Sequence, residues 1–427
     1  MGAVKIGILG LGTVGSGVAE ILLRNKKSIN QKAGSRIELT KVLDKDLTRN
    51  RSVDIPAEIM TDRPEEVLGN SEIDIIVELI GGVNPTKEFV KQALEARKHV
   101  VTANKELIAK YGDELFDLAA KRGVDLHFEA SVGGGIPIIK SLQESLTANQ
   151  IEEVIGIVNG TTNYILTKMT EKEAKFEEVL AEAQQAGYAE ADPTADIEGY
   201  DAAYKLSILS NIAFTGLVDV NDIYREGISQ ITQKDITYAQ QLGYVIKLLA
   251  ISKEVEGQIE ARVHPTMLPK DHPLAQVKEA FNAVLVRGDA VGELLYYGQG
   301  AGSLPTGSAV VADVIDIIRN INYKAVNRVA ANNYKEKIVK RHNEVVSKYY
   351  IRLQVENGHG DLAKTFRILE NNNIGIKRVI EPEKTDEPVN LILLTRQVVE
   401  ENLQRALGEV KKLREIKEIS NLIRVET

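Results

Sequence analysis

Cysteine and tryptophan are both missing from the 427 residues. Without a thiol there can be no disulfide, no thiolate nucleophile and no zinc site of the thiolate type. No uninterrupted apolar run approaches the roughly 18–20 residues of a membrane span. The first residues run straight into a strand-like segment, Val4-Lys-Ile-Gly-Ile-Leu9, with no signal-peptide pattern. A soluble, cytoplasmic protein with no membrane partner is therefore expected. Positive charge is in deficit as well, since 53 Lys and Arg against 61 Asp and Glu give a net charge of −8. That balance argues against a nucleic-acid partner, because neutralising phosphates takes clustered cations. The six histidines, His99, His127, His264, His272, His342 and His359, lack metal-ligand spacing and read as structural.

The rest of the composition, 43% hydrophobic and 27% charged, is the usual globular mixture. The length calls for two or three domains, because a single core stops growing near 250–300 residues. Short apolar runs at 5–9, 37–43, 73–79, 100–102 and 125–129 alternate with helical patterns at 15–27, 86–96 and 111–121. Such alternation predicts βαβ units and an α/β fold with a doubly wound parallel sheet. From 136 the pattern becomes α+β, with a helix starting near Pro137, a strand over 151–158, and helices over 176–186 and 201–213. Antiparallel strands are predicted over 258–264 and 283–288, and an apolar helix over 306–319 returns to the first domain. The domains expected are therefore 1–135 completed by 300–320, an inserted substrate domain over 136–299, a linker over 321–347, and a module over 348–427. In that last segment the strand and helix patterns follow the order βαββαβ of a small ferredoxin-like unit.

Gly10-Leu-Gly12-Thr-Val-Gly15 follows the first strand and opens a helix. In that context the glycines permit a tight turn, approach of backbone to a pyrophosphate, and close helix–strand packing. The helix N-terminus then offers amides to phosphate. At the end of the second strand Asp44 suits the ribose hydroxyls of NAD, whereas Lys45 could pair with the extra phosphate of NADP, and the choice stays open. Lys105, in Thr102-Ala-Asn-Lys105, follows another strand end, where ligands gather in open sheets. It reads equally as a site residue or a solvated lysine.

Two more glycine-rich stretches stand inside apolar surroundings, Phe128-Glu-Ala-Ser-Val-Gly-Gly-Gly-Ile-Pro-Ile138 and Asn159-Gly-Thr-Thr-Asn163. Glycine costs backbone entropy on folding and is used where backbone must come close to something. In Gly187-Tyr-Ala-Glu190-Ala-Asp192-Pro-Thr-Ala-Asp196 and Asp201-Ala-Ala-Tyr-Lys205, four carboxylates precede a lysine on an apolar helix. Asp201 and Lys205 share a helix face. As an exposed pair they would add only about 0.3–0.5 kcal/mol. In a buried cleft, the lysine could serve as acid or base near neutrality. Gly298-Gln-Gly300-Ala-Gly302-Ser-Leu-Pro-Thr306 reads either as a turn closing over the nucleotide or as a flexible hairpin exit.

Together these segments resemble homoserine dehydrogenase over essentially the whole chain. The resemblance is carried by Leu9-Gly-Leu-Gly-Thr-Val-Gly-Ser-Gly17, Gly81-Gly82, Val101-Thr-Ala-Asn-Lys105, residues 128–138, Gly156-Ile-Val-Asn-Gly-Thr-Thr-Asn163, residues 187–205 and Gly300-Ala-Gly302-Ser303. The tail resembles an ACT domain, a small ligand-sensing module. The resemblance implies a Rossmann-type domain and NAD- or NADP-dependent interconversion of L-homoserine and L-aspartate 4-semialdehyde, a step toward threonine and methionine. It implies that Lys205 is the proton donor, that Lys105 assists against the cofactor, and that Asp201 supports catalysis. Glu190, Asp196, Asp201 and Thr162 would hold the substrate. Gly10, Gly12, Thr13, Val14, Gly15, Asp44, Lys45, Lys105, Gly187 and Gly302 would meet the nucleotide. A monovalent cation, usually Na+, would lie on the Glu129 carboxylate and the carbonyls of Val132, Gly134 and Ile136. A homodimer or homotetramer is implied, with dimerisation as a further role of the domain over 136–299 and a tail that either binds an amino-acid effector or serves mainly in assembly. Two positions depart from the family pattern. Asp44 stands where members that accept NADP readily have an uncharged residue, and Glu356-Asn-Gly-His-Gly-Asp361 replaces the usual turn of the tail. The competing reading is a catalytically silent NAD-binding amino-acid sensor, against which the intact Lys105, Glu190, Asp201 and Lys205 argue.

Overall fold

The computed structural model describes residues 2–326, 337–356, 362–380 and 389–426. Six parallel strands form the first sheet: β1 (Val4–Leu9), β2 (Ile37–Leu43), β3 (Met60–Thr61), β4 (Ile75–Glu78), β5 (His99–Thr102) and β6 (Leu126–His127). Their spatial order is β3-β2-β1-β4-β5-β6. This is the doubly wound order, with its reversal point between β1 and β4, where open sheets bind ligands beyond the strand ends. β4 and β5 are buried at every residue, as strands covered on both faces must be.

The chain divides into two compact units. One comprises Met1–Val154, Tyr204–Val220 and Asn282–Glu336; the other comprises Ile155–Ala203, Asn221–Phe281 and Lys337–Thr427. In the first unit the helix predicted over 15–27 is Thr13–Arg24, and a second helix, Lys26–Ala33, follows a break at Asn25. The return helix is Ser303–Tyr323. It packs so closely on the first helix that a Cβ on Gly17 would lie 2.2 Å from the Ser303 carbonyl oxygen. Val18, Ile21 and Leu22 from one helix and Val310, Val314 and Ile317 from the other share one core. The helix expected near Pro137 is a single turn, Ile138–Lys140, continued by a π-helical turn, Ser141–Ser145.

In the second unit the longest strands are Tyr244–Val255 and Gln258–Pro269, paired antiparallel through all 12 residues of each. A two-residue turn joins them, with positive φ at Glu256 (53°) and Gly257 (79°), the form that matches strand twist. Sequence patterning anticipates only the second of the pair. Tyr244–Val255 is buried over most of its length, so its apolar run lacks the period of two that marks a half-buried strand.

The tail strands Val346–Val355, Ile376–Ile380, Val389–Thr395 and Ile416–Val425 lie in the spatial order fourth, first, third, second, all antiparallel. Helices Leu362–Asn371 and Glu400–Val410 complete the predicted βαββαβ order. Ile416–Val425 also pairs in parallel with Gln258–Pro269, placing Arg424 opposite Thr266. Residues 357–361 of the altered tail turn and 327–336 of the expected linker lie outside the described residues.

Candidate active site

The turn after β1 has the geometry its glycines predict. Gly10 adopts φ +98°, and a Cβ on Gly15 would lie 2.1 Å from the Gly10 carbonyl oxygen. A Cβ on Gly12 would meet nothing within 4 Å, so this residue borders open space. Gly12 caps the helix Thr13–Arg24 without a side-chain hydrogen bond, and no acidic residue stands in the first turn, which holds Thr13 and Val14. The unpaired amides and the positive end of the helix dipole are thereby left for an anion.

Asp44, just past β2, is half-buried and turned into this loop. Its carboxylate accepts the amide of Leu11 at 3.0 Å and lies 3.3 Å from the Arg51 guanidinium. Arg51 also reaches the Leu11 carbonyl at 3.4 Å. Lys45 is exposed, and the cation beside Asp44 is therefore Arg51. At the end of β4, fully buried Glu78 accepts the Thr102 hydroxyl at 2.6 Å and the Ile80 amide at 2.7 Å. Burial raises its pKa, against the pull of these donors. The Asn104 amide group donates to the Gly82 carbonyl at 2.6 Å, and its oxygen caps the helix Lys105–Arg122 through the Leu107 amide at 3.0 Å. Lys105 is thus the first residue of a helix fixed to the turn beyond β4.

The stretch over 128–138 meets the turn over 298–302. The Gly135 amide donates to the Gln299 carbonyl at 3.1 Å, and a Cβ on Gly134 would fall 2.5 Å from the Gly300 carbonyl oxygen. Gly302 caps the return helix. Glu129 is buried here, with its carboxylate oxygens accepting the amides of Ile139 (2.9 Å) and Lys140 (2.7 Å). Burial, with the neighbouring Asp313 carboxylate, pushes its pKa up to about 7.

In the second unit Asn159 caps the helix Gly160–Lys172. Its oxygen accepts the Thr162 amide at 2.9 Å and the Thr162 hydroxyl at 3.0 Å. Its Nδ2 donates to Asp196 at 2.7 Å and to Asp201 at 2.8 Å. One amide therefore clamps two carboxylates 37 and 42 residues away. Glu190 is exposed, and Gly187, with φ +78°, ends the preceding helix in the left-handed form. Asp201 is buried near the start of the helix Tyr200–Phe214, and Lys205, 9% exposed, lies one turn further along it.

A family profile described as homoserine dehydrogenase matches residues 137–315, and one described as the homoserine dehydrogenase NAD-binding domain matches 10–129. The chain is 41% identical to homoserine dehydrogenase of Bacillus subtilis, with 100% of this chain and 99% of that protein covered. The chain belongs to the homoserine dehydrogenase family. A crystal structure of a homoserine dehydrogenase from Thiobacillus denitrificans superposes with a TM-score of 0.93 at 46% identity, covering 99% of this chain and 98% of that one. A hyperthermophilic archaeal homoserine dehydrogenase in complex with NADPH matches at 30% identity and a TM-score of 0.63, covering 74% of this chain and 97% of its own.

As in any homoserine dehydrogenase, a nicotinamide nucleotide has to be held, and the open space at Gly12, with a helix start that no side chain caps, fits a pyrophosphate. Three polar residues, two in the first unit and one in the second, escape sequence reasoning. Arg51 sits in a loop without periodicity, and Glu78 ends a strand that reads as apolar. Asn159 lies within a quoted motif, yet nothing local marks it as the partner of Asp196 and Asp201. No helix among the described residues is long and apolar enough to cross a membrane.

Proposed function

We propose that this chain catalyses the reversible oxidation of L-homoserine to L-aspartate 4-semialdehyde, with Lys205 carrying the proton. The observation that carries the assignment of residues is the Asn159 clamp on Asp196 and Asp201, one helical turn before buried Lys205. Asp201 and Asp196, with Glu190, hold the substrate ammonium, and Thr162 acts by orienting Asn159. A bound nicotinamide supplies the hydride acceptor. As hydride leaves the substrate carbon, the Lys205 amine takes the hydroxyl proton; in the reverse direction its ammonium returns that proton to the aldehyde oxygen. Lys105 steadies the same centre beside the nucleotide. Gly187 and Gly302 complete the nucleotide contacts.

The test is the initial rate at the reduced-nicotinamide absorbance band with L-homoserine, run in parallel with NAD and NADP. A homoserine-dependent rate establishes the reaction. No rate with either coenzyme, on folded protein with sodium present, overturns it in favour of the silent sensor.

NAD is the proposed preference, because Asp44 would face a 2′-phosphate with like charge and already occupies Arg51. Asp44→Ala frees that guanidinium and is expected to raise the NADP-to-NAD ratio of kcat/KM by at least about tenfold, a change needing only ~1.4 kcal/mol. An unchanged ratio would mean that Asp44 does not face the ribose.

The cation proposed is Na+, held by Glu129 and the carbonyls of Val132, Gly134 and Ile136. A buried carboxylate with a raised pKa beside a turn of backbone oxygens is a fitting donor set for a hard cation. Sodium chloride should then raise Tm above matched choline chloride in the unaltered protein but not in Glu129→Gln. Equal shifts in the two proteins would remove Glu129 from the site. The functional protein is read as a cytoplasmic homodimer or homotetramer, and its tail as an ACT-type module for an amino-acid effector. The order of the four tail strands supports that last point.

A further inference from the structure

A short strand, Tyr224–Arg225, lies between the C-terminal module and the loop that joins Asp196 to Asp201. It pairs in parallel with Gln258–Pro269, placing Tyr224 opposite Arg262 and Arg225 opposite Val263. On one side, the Arg225 guanidinium donates to the Glu198 carbonyl and stacks on the Tyr200 ring, 3.4 Å from its centroid. The Ile228 amide donates to the Ile197 carbonyl at 2.8 Å. At Gly227, a Cβ would fall 2.4 Å from that same carbonyl oxygen, so the two backbones are in close contact there. Ile197, Glu198, Gly199 and Tyr200 are all the residues between Asp196 and Asp201.

On its other side the strand is held by the tail. Arg424, on Ile416–Val425, is 2% exposed and donates to Glu226 at 2.8 Å. Its guanidinium lies 4.7 Å from the centroid of the Tyr224 ring and 3.1 Å from Nε2 of His342, which stacks on that ring at 3.4 Å and 3°. The Tyr224 hydroxyl also donates to Glu226 at 3.1 Å. Arg424 is itself fixed by buried Glu400 at 3.3 Å. A planar guanidinium that both stacks and donates has its orientation defined more tightly than an ammonium would.

We propose that Arg225 is a positioning residue for substrate binding, and that the C-terminal module sets its position through Arg424 and the segment Tyr224–Glu226. This rests on the reading of Asp196 and Asp201 as substrate carboxylates. On that reading the tail is part of the frame of the substrate site as well as a place for an effector. The Arg225 side chain acts on the backbone that carries the two carboxylates, through the Glu198 carbonyl and the Tyr200 ring.

The test is steady-state kinetics on the full chain. Arg225→Met should raise the KM for L-homoserine by about tenfold, keep kcat within about threefold and leave the coenzyme KM in place, the signature of lost ground-state binding. Arg225→Lys, which keeps the charge without the stack, should recover part of the loss. Glu226→Gln weakens the link to Arg424 at a half-buried position and should raise the same KM by a smaller factor. The double variant should be no worse than Arg225→Met alone. An unchanged homoserine KM in Arg225→Met, or an equal rise in both KM values, overturns the positioning role. Multiplying effects in the double variant overturn the link to the tail. Asp201→Asn separates the two readings. If it raises the homoserine KM and Arg225→Met does not, only the positioning claim falls. If Asp201→Asn has no effect on that KM, the carboxylate reading falls and the inference with it.

Discussion

Lys205→Ala is expected to lower turnover by on the order of 10²–10⁴, the usual contribution of a positioned acid–base group, with coenzyme affinity nearly unchanged. Lys205 belongs to a helix on which Leu206 and Leu209 are fully buried, and it is itself only 9% exposed. Lys205→Arg should be nearly as impaired, because a guanidinium does not release a proton at any working pH. Both variants are to be assayed with saturating homoserine, with coenzyme binding followed separately. A lysine variant keeping more than a tenth of the original rate would show that Lys205 does not carry the proton.

Asp235→Ala is the substitution expected to cost most in stability, about 3–5 kcal/mol, because it leaves a buried cation without its partner. Asp235 is fully buried in the first turn of the helix Gln233–Leu242. It accepts the Thr232 amide at 3.0 Å and the Thr232 hydroxyl at 2.6 Å, closing a capping box. From the tail come Arg352 at 2.7 Å, Asn421 at 2.9 Å and the Tyr350 hydroxyl at 3.3 Å. Burial, reinforced by the Asp235 carboxylate, raises the pKa of Tyr350, so it remains a neutral donor. The alanine variant loses the cap and strands Arg352, which is itself buried. Thermal unfolding followed by circular dichroism should show Tm lower by roughly 10 °C. Asp235→Asn, which retains acceptor oxygen but not charge, should fall between the two. A Tm within a degree of the unaltered protein would mean that the Arg352–Asp235 pair contributes nothing net.

Much of this architecture is legible in the chain because it is written over short spans. Strand, glycine turn and helix succeed one another within 15 residues at the start, and each step follows from local sterics. The tail's order of strands and helices likewise emerges from alternation and helical spacing, one element at a time. Where patterning falls short, burial is the reason. Tyr244–Val255 shows no alternation because most of its residues are covered, and the first helix breaks at Asn25 without a proline or glycine to mark the break.

The sequence by itself determined the family, the nucleotide turn, the order of the tail elements and the presence of Asp201 and Lys205 one turn apart on an apolar helix. These rest on neighbours along the chain, where helix and strand periodicity dictate what can face what. Only the tertiary structure decided which groups those side chains would meet. Arg51 came to Asp44, Asn159 came to both Asp196 and Asp201, and Arg424 reached Glu226 across 198 residues. A buried carboxylate must find donors, but local propensity says nothing about where along the chain they lie. That is fixed when the sheets and helices pack, which brings these donors to between 2.7 and 3.3 Å of their carboxylates.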